Sequence, residues 1–185
     1  MYIGAHVSSS GGIENSVKEG NKYGINSIQI MPTTPMRWAT KKIPDENIER
    51  FVEELKNSVV KKILIHGIYL TNLARADKQL FHLGKMGLVI YLDFANRVEE
   101  LIKKNSLDTE VLGICFHPGS QKELGYDESI ERVAEGIDWV LDEVGGSQWL
   151  LIESTAGTGT HLGRSFTELK SIRDKCKGKN RVGYV

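Results

Sequence analysis

Short apolar runs recur along the chain, each followed by an amphipathic stretch. The runs lie near residues 2–6, 27–31, 62–66, 111–117, 148–153 and 181–185. Runs of this length, bounded by polar segments, predict buried parallel strands. Between them, Ile13 to Tyr23, Asp45 to Asn57, Leu83 to Lys104, Asp127 to Glu143 and Ser165 to Cys176 predict helices. In the second of these, Ile48, Phe51, Val52 and Leu55 recur at helical spacing, as do Ile130, Val133, Ile137 and Leu141 in the fourth. Ser165 three residues before Glu168 predicts a capping box that opens the fifth helix. Gly24, Gly145-Gly146 and Gly178 punctuate helix ends or turns.

Strict strand–helix alternation predicts an α/β fold with a parallel sheet covered by helices. No linker or low-complexity segment interrupts the chain, so residues 1–185 read as a single domain. A closed (β/α)8 TIM barrel takes about 250 residues. The expected architecture is therefore a TIM-barrel type that is C-terminally incomplete, with about six βα units.

Three of the predicted strands end on a metal-capable side chain: Ile63-Leu64-Ile65-His66, Gly113-Ile114-Cys115-Phe116-His117 and Trp149-Leu150-Leu151-Ile152-Glu153. In α/β barrels chemistry gathers at such strand ends, where the βα loops converge. Each residue also has a plain structural reading. His66 fits a buried strand-end histidine, His117 a turn set by Pro118 and Gly119, and Glu153 a buried salt bridge to a Lys or Arg. Two imidazoles and a carboxylate on three successive strand ends form a catalytic zinc pattern, although the same donors accommodate iron or manganese. His6 ends the first strand, as a partner of the ligands or a structural hydrogen-bonder. His82 reads as solvated, and His161 as near the site without binding metal. The glycines after Glu153 bring backbone amides close to an anionic group. As a phosphate loop the segment is weak, since it lacks the Lys-Ser/Thr of a Walker motif.

Composition changes this picture little. The 24 basic and 24 acidic residues cancel, so net charge alone points to no nucleic-acid partner and excludes none. Bound ions would add positive charge that the sequence does not count. Cys115 and Cys176 lie far apart in different contexts, which argues against a disulfide framework and for a reduced, cytoplasmic setting. The start, Met1-Tyr-Ile-Gly-Ala-His6, has no signal-peptide pattern, and no run approaches the roughly 20 apolar residues of a membrane span. The expectation is a cytoplasmic monomer with no membrane partner.

Four segments together carry a family resemblance. They are Ile3-Gly-Ala-His-Val-Ser8 with Gly11-Gly12, His66-x-x-Tyr-Leu-x-Asn-Leu73, Phe116-His-Pro-Gly-Ser120, and Ile152-Glu-Ser-Thr-Ala-Gly157 followed by Gly159 and Leu162-Gly163. In these the chain resembles the N-terminal two-thirds of the endonuclease IV family (apurinic/apyrimidinic endonuclease family 2). The resemblance implies a zinc-dependent hydrolase with a cluster of three zinc ions in a TIM barrel. It would act in base excision DNA repair on double-stranded DNA with abasic sites, cutting the phosphodiester 5′ to the lesion and leaving a 3′-hydroxyl. It implies that His66 and His117 hold one zinc and that Glu153, the catalytic carboxylate, bridges it to a second. It also implies that Tyr69 and Leu70 form a loop that penetrates DNA. Family members carry an Arg shortly before a Trp in the second βα loop. Here Met36 takes the aligned place before Trp38, and Arg37 stands one residue late as the candidate DNA contact.

The family's remaining ligands follow the sixth strand, beginning with an Asp-Thr-x-His segment beyond a Val-Gly pair. This chain has Val182-Gly183 and stops at Val185. The expectation is thus protein ligands for about one zinc, and trace nicking at most from the 185-residue chain. Two other readings stand beside this one: a xylose-isomerase-like sugar isomerase or epimerase, and a non-catalytic barrel fragment.

Overall fold

The alternation of apolar runs and amphipathic stretches is realised in a computed structural model that describes residues 1–185. The order is β1 (Gly4–His6), α1 (Asn15–Tyr23), β2 (Ser27–Ile30), α2 (Asp45–Leu55), β3 (Lys62–His66), α3 (Lys78–Lys104), β4 (Glu110–Phe116), α4 (Tyr126–Val144), β5 (Leu150–Ile152), α5 (Phe166–Lys175) and β6 (Val182–Tyr184), with a 3-10 turn at Lys179–Arg181 before the last strand. All six strands pair in parallel and in chain order, β1 through β6. This is the TIM-barrel-type sheet expected from the sequence, and it is open, because β1 pairs only with β2 and β6 only with β5.

The two faces of the sheet differ. Ile28, Ile30, Ile63 and Ile65 are fully buried, and they alternate with Ser27, Gln29, Lys62 and Leu64, which stay partly exposed. The strands are therefore buried on the helix side and accessible on the inner side. Full burial on both faces needs a closed barrel whose inner side chains pack in layers. The open sheet does not supply that. On the covered side, α3 carries Leu88, Tyr91, Leu92, Phe94, Ala95 and Val98 into the core. Phe94 meets Phe51 of α2 with ring centroids 6.2 Å apart.

Two local details differ from the sequence expectation. Helix α3 begins at Lys78, before the first strongly periodic residues, because the Asp77 side chain accepts a hydrogen bond from Leu80 N at 2.8 Å and caps it. Ser165 caps α5 as expected, accepting from Glu168 N at 3.2 Å. Glu168 does not close the capping box, however. Its Oε2 accepts from Gly163 N at 2.5 Å and Arg164 N at 2.9 Å, bracing the loop between β5 and α5 instead.

Truncating a fully buried ring in this core should be severe. Phe94→Ala is expected to cost about 3–5 kcal/mol in chemical denaturation, whereas Val59→Ala at an exposed position should stay within about 0.5 kcal/mol. Comparable losses at both sites would show that α3 does not carry the core as described.

Candidate metal centre at the strand ends

Parallel pairing continues one residue past β3 and β5. Gly67 N donates to Cys115 O at 2.7 Å, and Glu153 N donates to Phe116 O at 3.0 Å. His66 is the last residue of β3, His117 the first after β4 and Glu153 the first after β5, so the three emerge side by side on neighbouring strands. Gly163 backs the last of these, with φ +91°. A Cβ there would lie 2.8 Å from the Glu153 carbonyl oxygen, closer than side chains approach backbone.

The side chains converge on one atom. Glu153 Oε2 lies 2.9 Å from His66 Nε2, 3.1 Å from His117 Nε2 and 3.3 Å from Cys115 Sγ. The ligand atoms of His66, His117 and Glu153 all fall within 4.8 Å of one another. The two imidazole planes stand at 88° with centroids 5.3 Å apart. His66 Nδ1 lies 2.6 Å from the Gly67 carbonyl oxygen. A carbonyl can only accept, so Nδ1 carries a hydrogen and Nε2 is the nitrogen that could bind a cation. No Lys or Arg pairs with Glu153; the salt bridge to a Lys or Arg, one reading of this residue from sequence, is replaced by the two histidines.

The electrostatics follow from this crowding. Hydrogen bonds from His117 and His66 hold the Glu153 carboxyl well below the usual carboxylate range, against the opposing effect of burial. Burial by itself would lower His66. The hydrogen bonds to Glu153 and the Gly67 carbonyl outweigh it, and the imidazole is raised. Burial, then the Glu153 charge, pushes the Cys115 thiol upward, so it remains a neutral S–H donor.

The donor set suits a divalent ion. Donors placed tetrahedrally about 2.0–2.1 Å from zinc lie roughly 3.3–3.4 Å from one another, so the pairs at 2.9 and 3.1 Å would open slightly, and any pair wider than that, all being within 4.8 Å, would close to admit one. Glu153 Oε2 takes every hydrogen bond the carboxylate receives, which leaves Oε1 available for a second cation.

The other residues singled out from sequence fall around this point. His6 ends β1 with its ring stacked on His66 at 6.3 Å, and its Nδ1 lies 3.3 Å from Gln29 Nε2. Burial, then the neighbouring His66, lowers its pKa. Tyr69 is 50% exposed and stacks over His117 at 6.2 Å and 24°. Leu70 turns the other way and packs, partly buried, against the core. Arg37 is exposed in the loop after β2, beside Met36, which is also exposed, while Trp38 packs against the core. His82 lies exposed on α3 with its ring edge to Trp139. His161 is exposed and forms an isolated bridge with Ser120.

Beside the centre opens a cleft of about 610 Å³, lined by His6, Ser8, Ser10, Gly12, Thr33 and Tyr69 among others. Cys115 was not foreseen at the site. Its strand partner in register is His66, and that pairing is invisible in a single sequence.

Known proteins share this fold. A family model described as a xylose isomerase-like TIM barrel matches residues 17–185. A probable endonuclease 4 of Geotalea daltonii is 33% identical over 183 residues, 98% of this chain and 60% of that protein. One from Buchnera aphidicola is 34% identical over 185 residues, 98% of this chain and 62% of its own length. The chain thus spans about 60% of the length of the curated relatives it matches. The crystal structure of endonuclease IV from Thermus thermophilus superposes with a TM-score of 0.78 at 27% identity, over 95% of this chain and 60% of that one. A D-psicose 3-epimerase superposes at 0.68 with 16% identity, over 100% of this chain and 62% of that one, a likeness of fold alone. The chain belongs to the xylose isomerase-like TIM-barrel family, and within it resembles the endonuclease IV proteins.

Proposed function

We propose that this chain carries the zinc-binding and lesion-probing wall of an apurinic/apyrimidinic endonuclease, which cuts DNA 5′ to an abasic site. The observation that carries this reading is the convergence of His66, His117 and Glu153 on one oxygen, with the half-exposed Tyr69 ring stacked over His117. His66 and His117 would hold a zinc through Nε2, and Glu153 would hold it through Oε2 while presenting Oε1 to a second cation. Zinc in such a site lowers the pKa of bound water toward neutrality and stabilises charge on phosphoryl oxygens.

The chain's own residues do the rest. The Gly67 carbonyl orients His66, and the Cys115 thiol steadies the Glu153 carboxylate. Tyr69 offers a flat apolar surface on the face where the loops meet, suited to stack in a duplex where a base is missing. Arg37, exposed on the loop after β2, would meet the phosphate backbone, an interaction that weakens with salt. No helix is long and apolar enough to cross a membrane. The sugar-epimerase reading has only the fold in its favour, at 16% identity.

Zinc content is the first check, with about one ion per chain expected from a single set of two imidazoles and a carboxylate. Zinc-loaded protein should bind a duplex carrying an abasic-site analogue more tightly than the intact duplex. Any nicking by the wild-type chain should fall to background in Glu153→Gln, together with most of the bound zinc. Equal affinity for the two duplexes would remove the abasic-site assignment, and turnover of a ketose without nicking would transfer the protein to the epimerases.

The pH dependence has a definite sign. In metal-free protein the raised His66 contributes stability that is complete below its unfolded value near 6.5 and disappears as pH rises through its folded value. The depressed Glu153 contributes stability above 4.5 that is lost as pH falls toward its folded value. The melting-temperature gap between wild type and Glu153→Gln, measured with a chelator, should therefore be largest near about pH 5.5 and shrink by about pH 8. Added zinc should reverse the trend, because the ion displaces protons from His66 and binds more tightly as pH rises. A gap independent of pH would show that the pair does not form.

A further inference from the structure

Two active-face loops are cross-braced through one amide side chain, and a third joins them through backbone bonds and a pair of hydroxyls. Asn72 lies in the loop between β3 and α3, three residues after Tyr69. Its Oδ1 accepts two backbone hydrogens, from Ala74 N in its own loop at 3.0 Å and from Ser120 N in the loop after β4 at 3.1 Å. Next to it, Leu73 N donates to Pro118 O at 3.1 Å.

Gly119 closes the junction from the other side. It has φ +118°, and a Cβ there would sit 2.0 Å from Asn72 Oδ1, so only glycine lets the two loops approach this closely. The junction then reaches the loop after β5. Leu162 N donates to Gly119 O at 2.9 Å, Gln121 N donates to Thr160 O at 3.0 Å, and the Ser120 and Thr160 hydroxyls lie 2.7 Å apart.

The loop that Asn72 fastens contains His117, and the loop it belongs to contains Tyr69, whose ring lies over the His117 imidazole. We propose that Asn72 is a positioning residue that locks the Tyr69-Leu70 loop to the His117 loop, so that the side chain facing DNA and a metal ligand move as one body. Asn72 touches neither metal nor substrate; it acts through the Ser120 amide and the two loop backbones. The consequence for DNA rests on the endonuclease reading, whereas the consequence for metal binding does not. If the lock holds, zinc on His117 fixes Tyr69, and the two binding events favour each other.

Asn72→Ala removes the acceptor. Asn72→Asp keeps an oxygen in the same place and exchanges the side-chain NH2, which has no partner, for a second carboxylate oxygen that carries a negative charge. Hydrogen exchange by NMR reads the junction directly. In wild type the Ala74 and Ser120 amides should be protected although both lie in loops. In Asn72→Ala their protection should fall about tenfold or more, and the zinc dissociation constant from calorimetry should rise about tenfold. Asn72→Asp should leave both within about twofold of wild type. Zinc should also tighten abasic-duplex binding in wild type and do so less in Asn72→Ala.

Unprotected Ala74 and Ser120 amides in wild type would overturn the proposal even if Asn72→Ala failed to fold. A folded Asn72→Ala with wild-type protection and zinc affinity would overturn it too, as would a folded Asn72→Asp that behaves like the alanine variant. Should wild type show no preference for abasic duplex, the endonuclease reading falls, while the exchange and zinc measurements still decide the role of Asn72.

Discussion

Two imidazole nitrogens and a thiol crowd within 3.3 Å of Glu153 Oε2, and this crowding sets the terms for the strands around it. A carboxylate this close to an apolar strand end is costly to bury without partners. Its partners come from β3 and from the end of β4, so it is satisfied only while those strands hold their register. In this sheet His66 is level with Cys115, and Phe116 with Ile152. A slip of one residue would turn each of these side chains to the opposite face. The buried isoleucines on the helix side oppose any such slip, because the same shift would carry them out of the core. Packing on one face of the sheet therefore fixes chemistry on the other.

Much of this arrangement was legible in the chain. The strand runs end on His66, His117 and Glu153, and the run ends locate the centre because parallel strands all point their C-terminal ends to one face. What stayed hidden depends on contacts between distant segments. Cys115 looks like any other apolar strand residue until its pairing with His66 is known. Asn72 looks like a loop asparagine until Ser120 arrives across 48 positions of sequence. The start of α3 was missed for a related reason. The cap at Asp77 precedes the hydrophobic period, and the periodicity shows only where a helix packs. Glu168 illustrates a competition, since a side chain spaced for a capping box found nearer donors at Gly163 and Arg164.

The accessible inner face has its own physical logic. Lys62 and Glu110 are level in the register and pair there, and the Lys62 ammonium lies 5.0 Å from the centroid of the Tyr2 ring. Tyr2 and Trp149 are both exposed. An open parallel sheet with apolar side chains on an uncovered face invites pairing with other chains. The two edge strands are short, at 3 residues each, which limits the row of unpaired backbone groups that each presents.

Sheet architecture does not distinguish a nuclease from a sugar epimerase, since both superpose on it across nearly the whole chain. Strand ends can place two histidines and a glutamate in either setting, so the difference must lie in what the loops set above them. A small sugar needs a pocket that encloses most of its surface, whereas a lesion in a duplex needs a raised feature that enters the gap. Here the group above the strand-end histidines is an exposed aromatic ring standing over His117. Its loop leaves the strand at Gly67 and is fastened again at Asn72, five residues later. A ring on a loose loop would lose entropy on ordering with each encounter. Under the proposed endonuclease function, a ring held at both ends of a short span, with His117 beneath it, would meet the duplex already in place, ready to find a gap rather than a base.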